Sequence, residues 1–572
     1  MQEKIKNLIN EVLKKLEIKG VDFVVEHPAD LKMGDYSTNV AMVLNRKKFE
    51  TEKSKFSREE IVDIMGGEIK KNLPKEIEKM EAVGGFINFF LSQEFFANSI
   101  KEILDNKDFG QNNMLSGQKI MVEYTDPNPF KPIHIGHLMT NAIGESIART
   151  LEYSGANVSR ANYQGDVGLH VAKAIWGLLN NSHLQKDDDI GIKLKSANIG
   201  VAYQLGSEQY EKDKKEIDEI NNKIYARSDE KINKIYDWGF KVTMEAFEDL
   251  YKMLGTKFDF YFLESAMTDI GRDIVKENMG KIFTESDGAI VFKADEHDPK
   301  LHTRVFITSA GLPTYETKEL GLVIEKFKTV PDMNMSIVIT ATEQADYMRV
   351  VAKAISLIHP DYESKMKHIT HGMMRFAFEK MSSRKGNVIT GESLINDVRL
   401  LVIEKIADRD LSEEEMENIS NDVCISALKY SILKQSIGGD IIYDFEKSIS
   451  FEGDSGPYLQ YSYARANSIL GKAKKENLSP SFKVLSKETA EVEKLLYRFP
   501  EIVARATKEF GPHYIANYLI ELARSFNSFY GNTKIVDKDD AVSPYKLALT
   551  SAFATVMQNG LYLLGIKALE KM

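Results

Sequence analysis

Apolar residues at Ile5, Leu8, Ile9, Val12, Leu13 and Leu16 recur at the three- and four-residue spacing of one helix face, so the chain opens on an amphipathic helix. Beyond it, apolar runs alternate with turn signals such as Lys32-Met-Gly-Asp-Tyr36. The segment Val83-Gly-Gly-Phe-Ile-Asn-Phe-Phe90 predicts a strand after a glycine turn. This mixture implies a small α+β domain ending near Ser116-Gly-Gln118. From about 119 to 170 the order is strand (Ile120–Tyr124), loop, helix (to about Ser154), strand (Asn157–Gln164). That is a βαβ unit, and ligands of such units sit at the carboxyl ends of the strands. The stretch of about 180–290 is highly charged, with Glu211–Glu219 as an exposed helix, and is expected to be an insertion between the halves of a sheet. Strand-like runs at Gly288–Phe292, Thr303–Ile307 and Met335–Thr340 are expected to supply the second half.

After Gly391 the periodicity is helical. Leu495, Leu496, Phe499, Ile502, Val503 and Ala506 form one stripe, and Ile515, Leu519, Leu522, Phe526 and Phe529 form another. The expected architecture is multidomain α/β: an α+β domain over 1–112, a parallel-sheet core over 113–390 with its insertion, and an all-α bundle over 391–572. A chain of 572 residues is long enough for ~3 or 4 domains.

Composition narrows the class. A hydrophobic content of 43% and a charged content of 28% are ordinary for soluble protein. The opening Met-Gln-Glu-Lys-Ile-Lys lacks a signal-peptide pattern, and no apolar run reaches the ~18 residues of a membrane span, so a cytoplasmic protein is expected. The single cysteine, Cys424, has no partner for an internal disulfide and suits core packing better than nucleophilic chemistry. The net charge of −10 requires any RNA-binding surface to be a local patch, and the lysine runs at Lys47 to Lys55 and Lys472 to Lys475 are ordinary solvated faces.

Chemistry concentrates in Ile120-Met-Val-Glu-Tyr-Thr-Asp-Pro-Asn-Pro-Phe-Lys-Pro-Ile-His-Ile-Gly-His-Leu138. A β-type run ends in a loop punctuated by Pro127, Pro129 and Pro132 and opens a helix on His134-Ile-Gly-His137. Two imidazoles flanking a glycine at a helix N-terminus suit a polyphosphate: free N–H groups and the dipole attract anions, ring N–H groups donate to phosphate oxygens, and Gly136 allows close approach. Far downstream, Glu379-Lys-Met-Ser-Ser-Arg-Lys-Gly-Asn387 joins three cations and two hydroxyls in a polar segment that can approach and release a pyrophosphate.

These two segments resemble the paired signatures of class I aminoacyl-tRNA synthetases, which activate an amino acid with ATP on a Rossmann-type sheet. The likeness sharpens to the arginyl family. Glu123, Asn128, Lys131, Pro132 and the tetrad resemble its Glu-x-x-x-Pro-Asn-x-x-Lys-Pro-x-His-x-Gly-His block, and Asn162-Tyr-Gln-Gly-Asp-Val-Gly168 its following segment. Gly34–Met42 and Gly85–Phe89 are similar to its N-terminal domain, which contacts the tRNA elbow; Tyr458–Arg465, Phe526–Tyr530 and Leu564-Gly-Ile566 are similar to its helical anticodon-binding domain. A small-molecule nucleotidyltransferase can also use such a tetrad, but has no evident use for either flanking domain.

The resemblance implies arginine ligands at Glu123, Asn128, His137, Tyr315, Glu319 and Gln344, where a planar guanidinium with five donors needs carboxylate and neutral acceptors. Glu319 stands where the family usually has aspartate. It implies ATP contacts at His134, Gly136, His137, Lys380, Met381, Ser382 and Ser383, with catalytic roles for Lys131, His134, His137, Lys380 and Lys385. Ser383 replaces the second signature lysine of many class I enzymes, and Lys131 is the family's compensating cation. Tyr458, Tyr461 and Arg465 are implied tRNA contacts, although rings at this spacing equally suit core packing. Expected partners are tRNA(Arg), L-arginine and ATP, with Mg²⁺ accompanying the nucleotide rather than a dedicated protein metal site, and the expected state is a monomer.

Overall fold

The computed structural model describes residues 1–16, 18–46, 58–184, 190–377 and 390–572. The chain forms two compact units, one of residues 1–109, 465–500 and 521–557, the other of 110–464, 501–520 and 558–572.

In the first unit the helix Gln2–Lys15 buries Ile5, Leu8, Ile9, Val12 and Leu13, the stripe expected from the sequence. An antiparallel sheet follows in the order Val25–Glu26, Tyr36–Thr38, Phe86–Leu91, Ile77–Val83. The two N-terminal family-like segments pair with each other, Tyr36 opposite Phe89 and Thr38 opposite Ile87. Gly34 sits at φ +104°, where a Cβ would lie 2.8 Å from the Phe89 carbonyl oxygen, so only glycine fits that turn. Beside it, the Asp35 amide donates to Phe89 O, and the Asp35 carboxylate accepts from the Leu91 amide, both at 2.8 Å.

The second unit holds a five-stranded, wholly parallel sheet: β1 (Lys119–Glu123), β2 (Asn157–Gln164), β3 (Phe260–Leu263), β4 (Met335–Ala341) and β5 (Met366–His371). The order is β5-β4-β1-β2-β3. The helices that flank it are α1 (Ile135–Tyr153), α2 (Leu169–Asn180), α3 (Glu264–Glu277), α4 (Tyr315–Thr329) and α5 (Ala345–Ile358). Strand order reverses between β1 and β4, and the crevice outside the carboxyl ends of those two strands is where such Rossmann-type sheets bind ligands.

Only one of the three runs expected in the second half of this sheet belongs to it, the run that became β4. Ala289–Phe292 pairs instead with Arg304–Ile307 on one side and Thr284–Ser286 on the other, in a separate antiparallel sheet. The missing strands come from elsewhere. β3 lies inside the charged stretch of 180–290, which is otherwise dominated by the helices Ile192–Glu208, Lys214–Ala226 and Glu230–Leu254. β5, Met366-Lys-His-Ile-Thr-His371, reads as polar because it is an edge strand covered incompletely. Beyond Gly391 the regular structure of the described residues is helical except for Ile441–Tyr443, a strand parallel to Met374–Phe376. The first C-terminal stripe is broken into two helices, Glu491–Leu496 and Phe499–Glu509, by Tyr497 and Arg498.

α1 lies tight on the end of β1. A Cβ on Gly144 would fall 2.2 Å from Tyr124 Cγ, so the helix reaches this depth only through glycine. The neighbouring Glu145 accepts from Tyr124 Oη at 2.5 Å and pairs with Arg149 at 2.6 Å and Arg160 of β2 at 3.0 Å. Arg160 then forks onto Glu152 of α1 at 2.6 and 2.8 Å. The outer side of α1 is fixed as well: Ser146 Oγ donates to Leu563 O at 2.8 Å, and Arg149 donates to Tyr562 O at 2.9 Å and Gly255 O at 2.7 Å. Cys424 is fully buried, its Sγ donating to Ile395 O at 3.1 Å, and burial pushes its thiol up to about 12, a packing residue as expected.

Gly144→Ala should therefore strain a buried ring that cannot retreat without breaking its bond to Glu145. The expected loss is about 1–3 kcal/mol of stability, read as a lowered thermal midpoint, with a parallel loss of activity because the first turn of α1 shifts. An unchanged midpoint would mean that α1 is not held at this depth by the glycine.

Candidate active site

The loop from β1 to α1 has an unusual backbone: Thr125, Asp126 and Phe130 all have positive φ, at 77°, 46° and 65°. Such strain persists where surrounding structure over-determines it, commonly at functional sites. Here Phe130 is fully buried and the neighbouring prolines limit alternatives. His134 is the N-cap of α1, and its ring stacks on that of His137 at 3.6 Å between centroids and 22° between planes. The His134 amide donates to His137 Nδ1 at 3.1 Å. A lone pair at Nδ1 leaves the proton of the neutral ring on Nε2 as a donor. Burial, with the neighbouring His134 ring and Lys131 ammonium, holds His137 well below the usual imidazole range; burial and Lys131 lower His134. Both rings are neutral donors near pH 7. A Cβ on Gly136 would meet His134 Cε1 at 2.9 Å, so this glycine leaves room for the ring to lie across the helix's first turn. Lys131 is half-buried, its Nζ 5.5 Å from the Tyr203 ring centroid.

The second signature, with Lys380, Met381, Ser382, Ser383, Arg384 and Lys385, lies outside the described residues. Its downstream flank is tied to the tetrad. Thr390 bridges His134 in an antiparallel contact, and the Gly391 amide donates to Ile133 O at 2.7 Å. Thr390 also caps the helix Gly391–Ile406, accepting from the Ser393 amide at 3.1 Å.

Acidic side chains gather in the crevice at the carboxyl ends of β1 and β4. Glu123, the last residue of β1, is 2% exposed and ion-paired with Lys326, which is 1% exposed on α4. Glu319 lies two turns before Lys326 on the same face of α4 and is half-buried. Its carboxyl is pushed up to about 8, first by burial and then by Glu123, against the opposing effect of Lys326. Asp126 is raised well above the carboxylate range by burial and Glu123, although its Oδ1 accepts from the Tyr163 amide at 2.7 Å. Glu264 at the start of α3 is paired with Lys318 of α4. The phenols of Tyr163 and Tyr347 are raised by burial and by Glu319, which puts both rings beside the same carboxylate. A Cβ on Gly165 would fall 2.4 Å from Asn128 Oδ1 and 2.8 Å from Glu264 Oε2, so the glycine after β2 is what lets these side chains converge.

Of the arginine ligands expected from the sequence, Glu123 and Glu319 lie in this crevice, with Asn128 against Gly165 and Glu264. Tyr315 is the first residue of α4 and 71% exposed, and Gln344 is exposed in the turn after β4, its Oε1 accepting weakly from Tyr347 Oη at 3.5 Å. Residues that sequence reasoning missed are Asp126, Tyr163, Glu264, Lys318, Lys326 and Tyr347. Asp126 fell on a position the motif leaves open. Lys326 did carry a signal, the seven-residue spacing from Glu319 on a helix.

Tyr458, Tyr461 and Arg465 share the helix Gly456–Lys475. Tyr458 and Tyr461 are half-buried, and Tyr461 meets Phe451 edge-on at 6.3 Å. Arg465 donates to Asn527 Oδ1 at 2.6 Å and lies 5.2 Å from the Tyr530 ring, while Tyr463 is buried as a packing ring. Among the described residues no helix is long and apolar enough to cross a membrane.

Three family models account for most of the chain: the arginyl tRNA synthetase N-terminal domain over 3–91, the catalytic domain of class I (R) tRNA synthetases over 99–445, and the DALR anticodon-binding domain over 459–572. The arginine–tRNA ligase of Fusobacterium nucleatum is 34% identical over 97% of this chain and 96% of its own. That of Clostridium kluyveri is 32% identical over 99% of this chain and 100% of its own. The Thermus thermophilus and Plasmodium falciparum arginyl-tRNA synthetase structures, each 22% identical, superpose with TM-scores of 0.79 and 0.77, over 100% of this chain in both cases and over 100% and 99% of their own. With a catalytic-domain model matched over more than half its length and relatives above 30% identity along nearly all of it, the chain belongs to the class I arginyl-tRNA synthetases.

Proposed function

We propose that this chain acts as its family does, activating L-arginine with ATP and passing it to the terminal ribose of tRNA(Arg), and that the crevice between β1 and β4 is where the first step occurs. The observation that carries the site is the juxtaposition of two opposite environments on one loop: neutral imidazole donors at the N-terminus of α1, and buried carboxylates at the end of β1. The first suits phosphates and the second a guanidinium.

The arginine carboxylate attacks the α-phosphorus of ATP, giving arginyl-adenylate and releasing pyrophosphate. His134 and His137 donate to oxygens on which charge builds, and Gly136 lets the nucleotide approach the helix terminus. Lys131, Lys380 and Lys385 draw off the pyrophosphate charge, with Met381, Ser382 and Ser383 on the nucleotide. Mg²⁺ would enter on the phosphates. Glu123, Asn128, His137, Tyr315, Glu319 and Gln344 hold arginine. No covalent enzyme intermediate is needed, which fits the inert Cys424. The division into an elbow-contacting part (1–112), a catalytic part (113–390) and an anticodon-reading part (391–572), with Tyr458, Tyr461 and Arg465 toward tRNA, belongs to the same proposal, as do a monomeric state and a cytoplasmic location.

His134→Ala and His137→Ala are each expected to lower kcat by roughly 10²-fold or more, the loss of one preorganised donor, while leaving the fold intact. Near-normal aminoacylation by the purified, folded variants would remove the tetrad from catalysis.

A pH dependence follows from Glu319. It is faced by Glu123 from β1, Glu316 and Lys326 from its own helix, and Glu264 from α3, with Asp126 and Tyr347 alongside, and its carboxyl sits at about 8. Below that value it is neutral, and a bound guanidinium favours its ionised form. Arginine affinity should therefore rise as pH goes from about 6 to 8, and binding at pH 7 should release close to one proton. Calorimetry in two buffers of different ionisation enthalpy reads this directly; binding without proton release would place Glu319 away from the guanidinium.

A further inference from the structure

Lys131 stands between Phe130, buried and at positive φ, and Pro132, with its amide donating to Asn128 O at 3.3 Å. It is the only cationic side chain between Glu123 and Leu138. Its ammonium lies close enough to the tetrad to lower both imidazoles. Among the described residues no carboxylate pairs with that ammonium; what meets it is the ring of Tyr203, 5.5 Å away at the centroid. Tyr203 is half-buried on the helix Ile192–Glu208, in the charged insertion.

That helix is fixed on two sides. Against α2 it closes through glycine: a Cβ on Gly206 would fall 2.1 Å from Lys173 O, and one on Gly177 of α2 would fall 2.1 Å from Ala202 O. The two contacts bracket Tyr203 along the chain. Toward the tetrad, Gly200 lies one turn before Tyr203 on the same helix face, and a Cβ there would meet Pro132 Cγ at 3.2 Å. The insertion also holds the residue before Lys131, since the Phe130 amide donates to Thr243 Oγ1 at 3.4 Å and the Phe130 ring packs on Tyr236 at 5.7 Å between centroids.

We propose that Tyr203 is a positioning residue for the activation step: its ring, carried by the insertion, holds the Lys131 ammonium beside the tetrad with its charge uncancelled. The insertion thereby takes part in the chemistry of the core. This deepens, and rests on, the reading of Lys131 as a cation for the departing pyrophosphate.

A lysine ammonium ends a flexible four-carbon stem, and its charge helps a leaving group only when that stem is aimed. A carboxylate partner would aim it but neutralise it. An aromatic face attracts the cation through the negative centre of its quadrupole and adds no charge of its own, so the positive charge stays whole for a polyphosphate. Because both imidazoles are neutral, that charge is the one this segment can offer. The ring sits on a helix seated by close backbone contacts, which gives the ammonium a fixed resting place.

Arginine-dependent pyrophosphate–ATP exchange, with tRNA(Arg) supplied throughout, tests the proposal on full-length variants. Tyr203→Leu, which removes the ring face, is expected to lower the exchange kcat by about fivefold to tenfold and to leave the arginine KM within about twofold. Tyr203→Phe keeps the face and should retain most of the rate. Lys131→Met should lower kcat by roughly 10²-fold, and adding Tyr203→Leu to it should cost less than about twofold more, because the ring then has no ammonium to hold. A purely structural Tyr203 would cost the same in both backgrounds, and that result overturns the proposal. So does a Tyr203→Phe as damaged as Tyr203→Leu. If Tyr203→Leu folds poorly, pentafluorophenylalanine at position 203 preserves the ring's shape while its face is no longer negative; the same loss is expected, and full activity refutes the ring's role. An impaired Lys131→Met beside an unaltered Tyr203→Leu rejects the positioning alone, whereas an unaltered Lys131→Met removes the reading of Lys131 and the proposal with it.

Discussion

The buried carboxylate of Glu145 is the interaction on which the site depends. A helix N-terminus binds phosphate only where it is held still, and α1 is held by its second half. Glu145 gathers Tyr124 from the end of β1, Arg149 from the next turn of α1 and Arg160 from β2, so a single side chain orients the helix against both strands that bracket it. Burying one carboxylate with two guanidinium groups is tolerable because its hydrogen bonds are satisfied, and Arg160 shares its charge with Glu152. Gly144 makes the contact close enough for this to happen.

Through Arg149 and Ser146 the same helix also holds carbonyl groups at Tyr562, Leu563 and Gly255. Lys429 does likewise for Leu254 and Gly565, at 2.6 and 2.7 Å, and its burial brings its ammonium down to about 7. Cations thus meet the carbonyl ends of the helices Glu230–Leu254 and Ser543–Leu563, where the helix dipole favours positive charge. Helix α1 is consequently packed between the sheet and segments that come from the insertion and from the C-terminal end of the chain.

Within the crevice, one loop separates two electrostatic tasks. Burial and nearby cations keep the imidazoles neutral, while burial and mutual repulsion raise Asp126 and Glu319. Neutral ring donors set against these carboxyls would hydrogen-bond to them and leave neither group open to a ligand. The strained backbone from Thr125 to Phe130 provides the separation, with Asn128 turned toward Gly165 and the tetrad started afresh at His134.

Sequence alone determined the parts whose cause is local. Amphipathic spacing placed the helix Gln2–Lys15, β-branched and proline patterning placed β1, its loop and α1, and the two signatures identified the chemistry, because a phosphate-binding helix terminus is written in contiguous residues. Parallel strands are joined through long crossovers, so sheet membership is not written in any single run. Val291 and Val338 sit in equally apolar segments, yet one belongs to an antiparallel ribbon and the other to the central sheet, while the polar β5 completes the edge. The crevice was decided in the same way. Burial and Glu123 raise the carboxyls of Asp126 and Glu319 across β1, its loop and α4, and an electrostatic balance among residues so far apart in the chain exists only once the tertiary structure has brought them within reach and excluded water from between them.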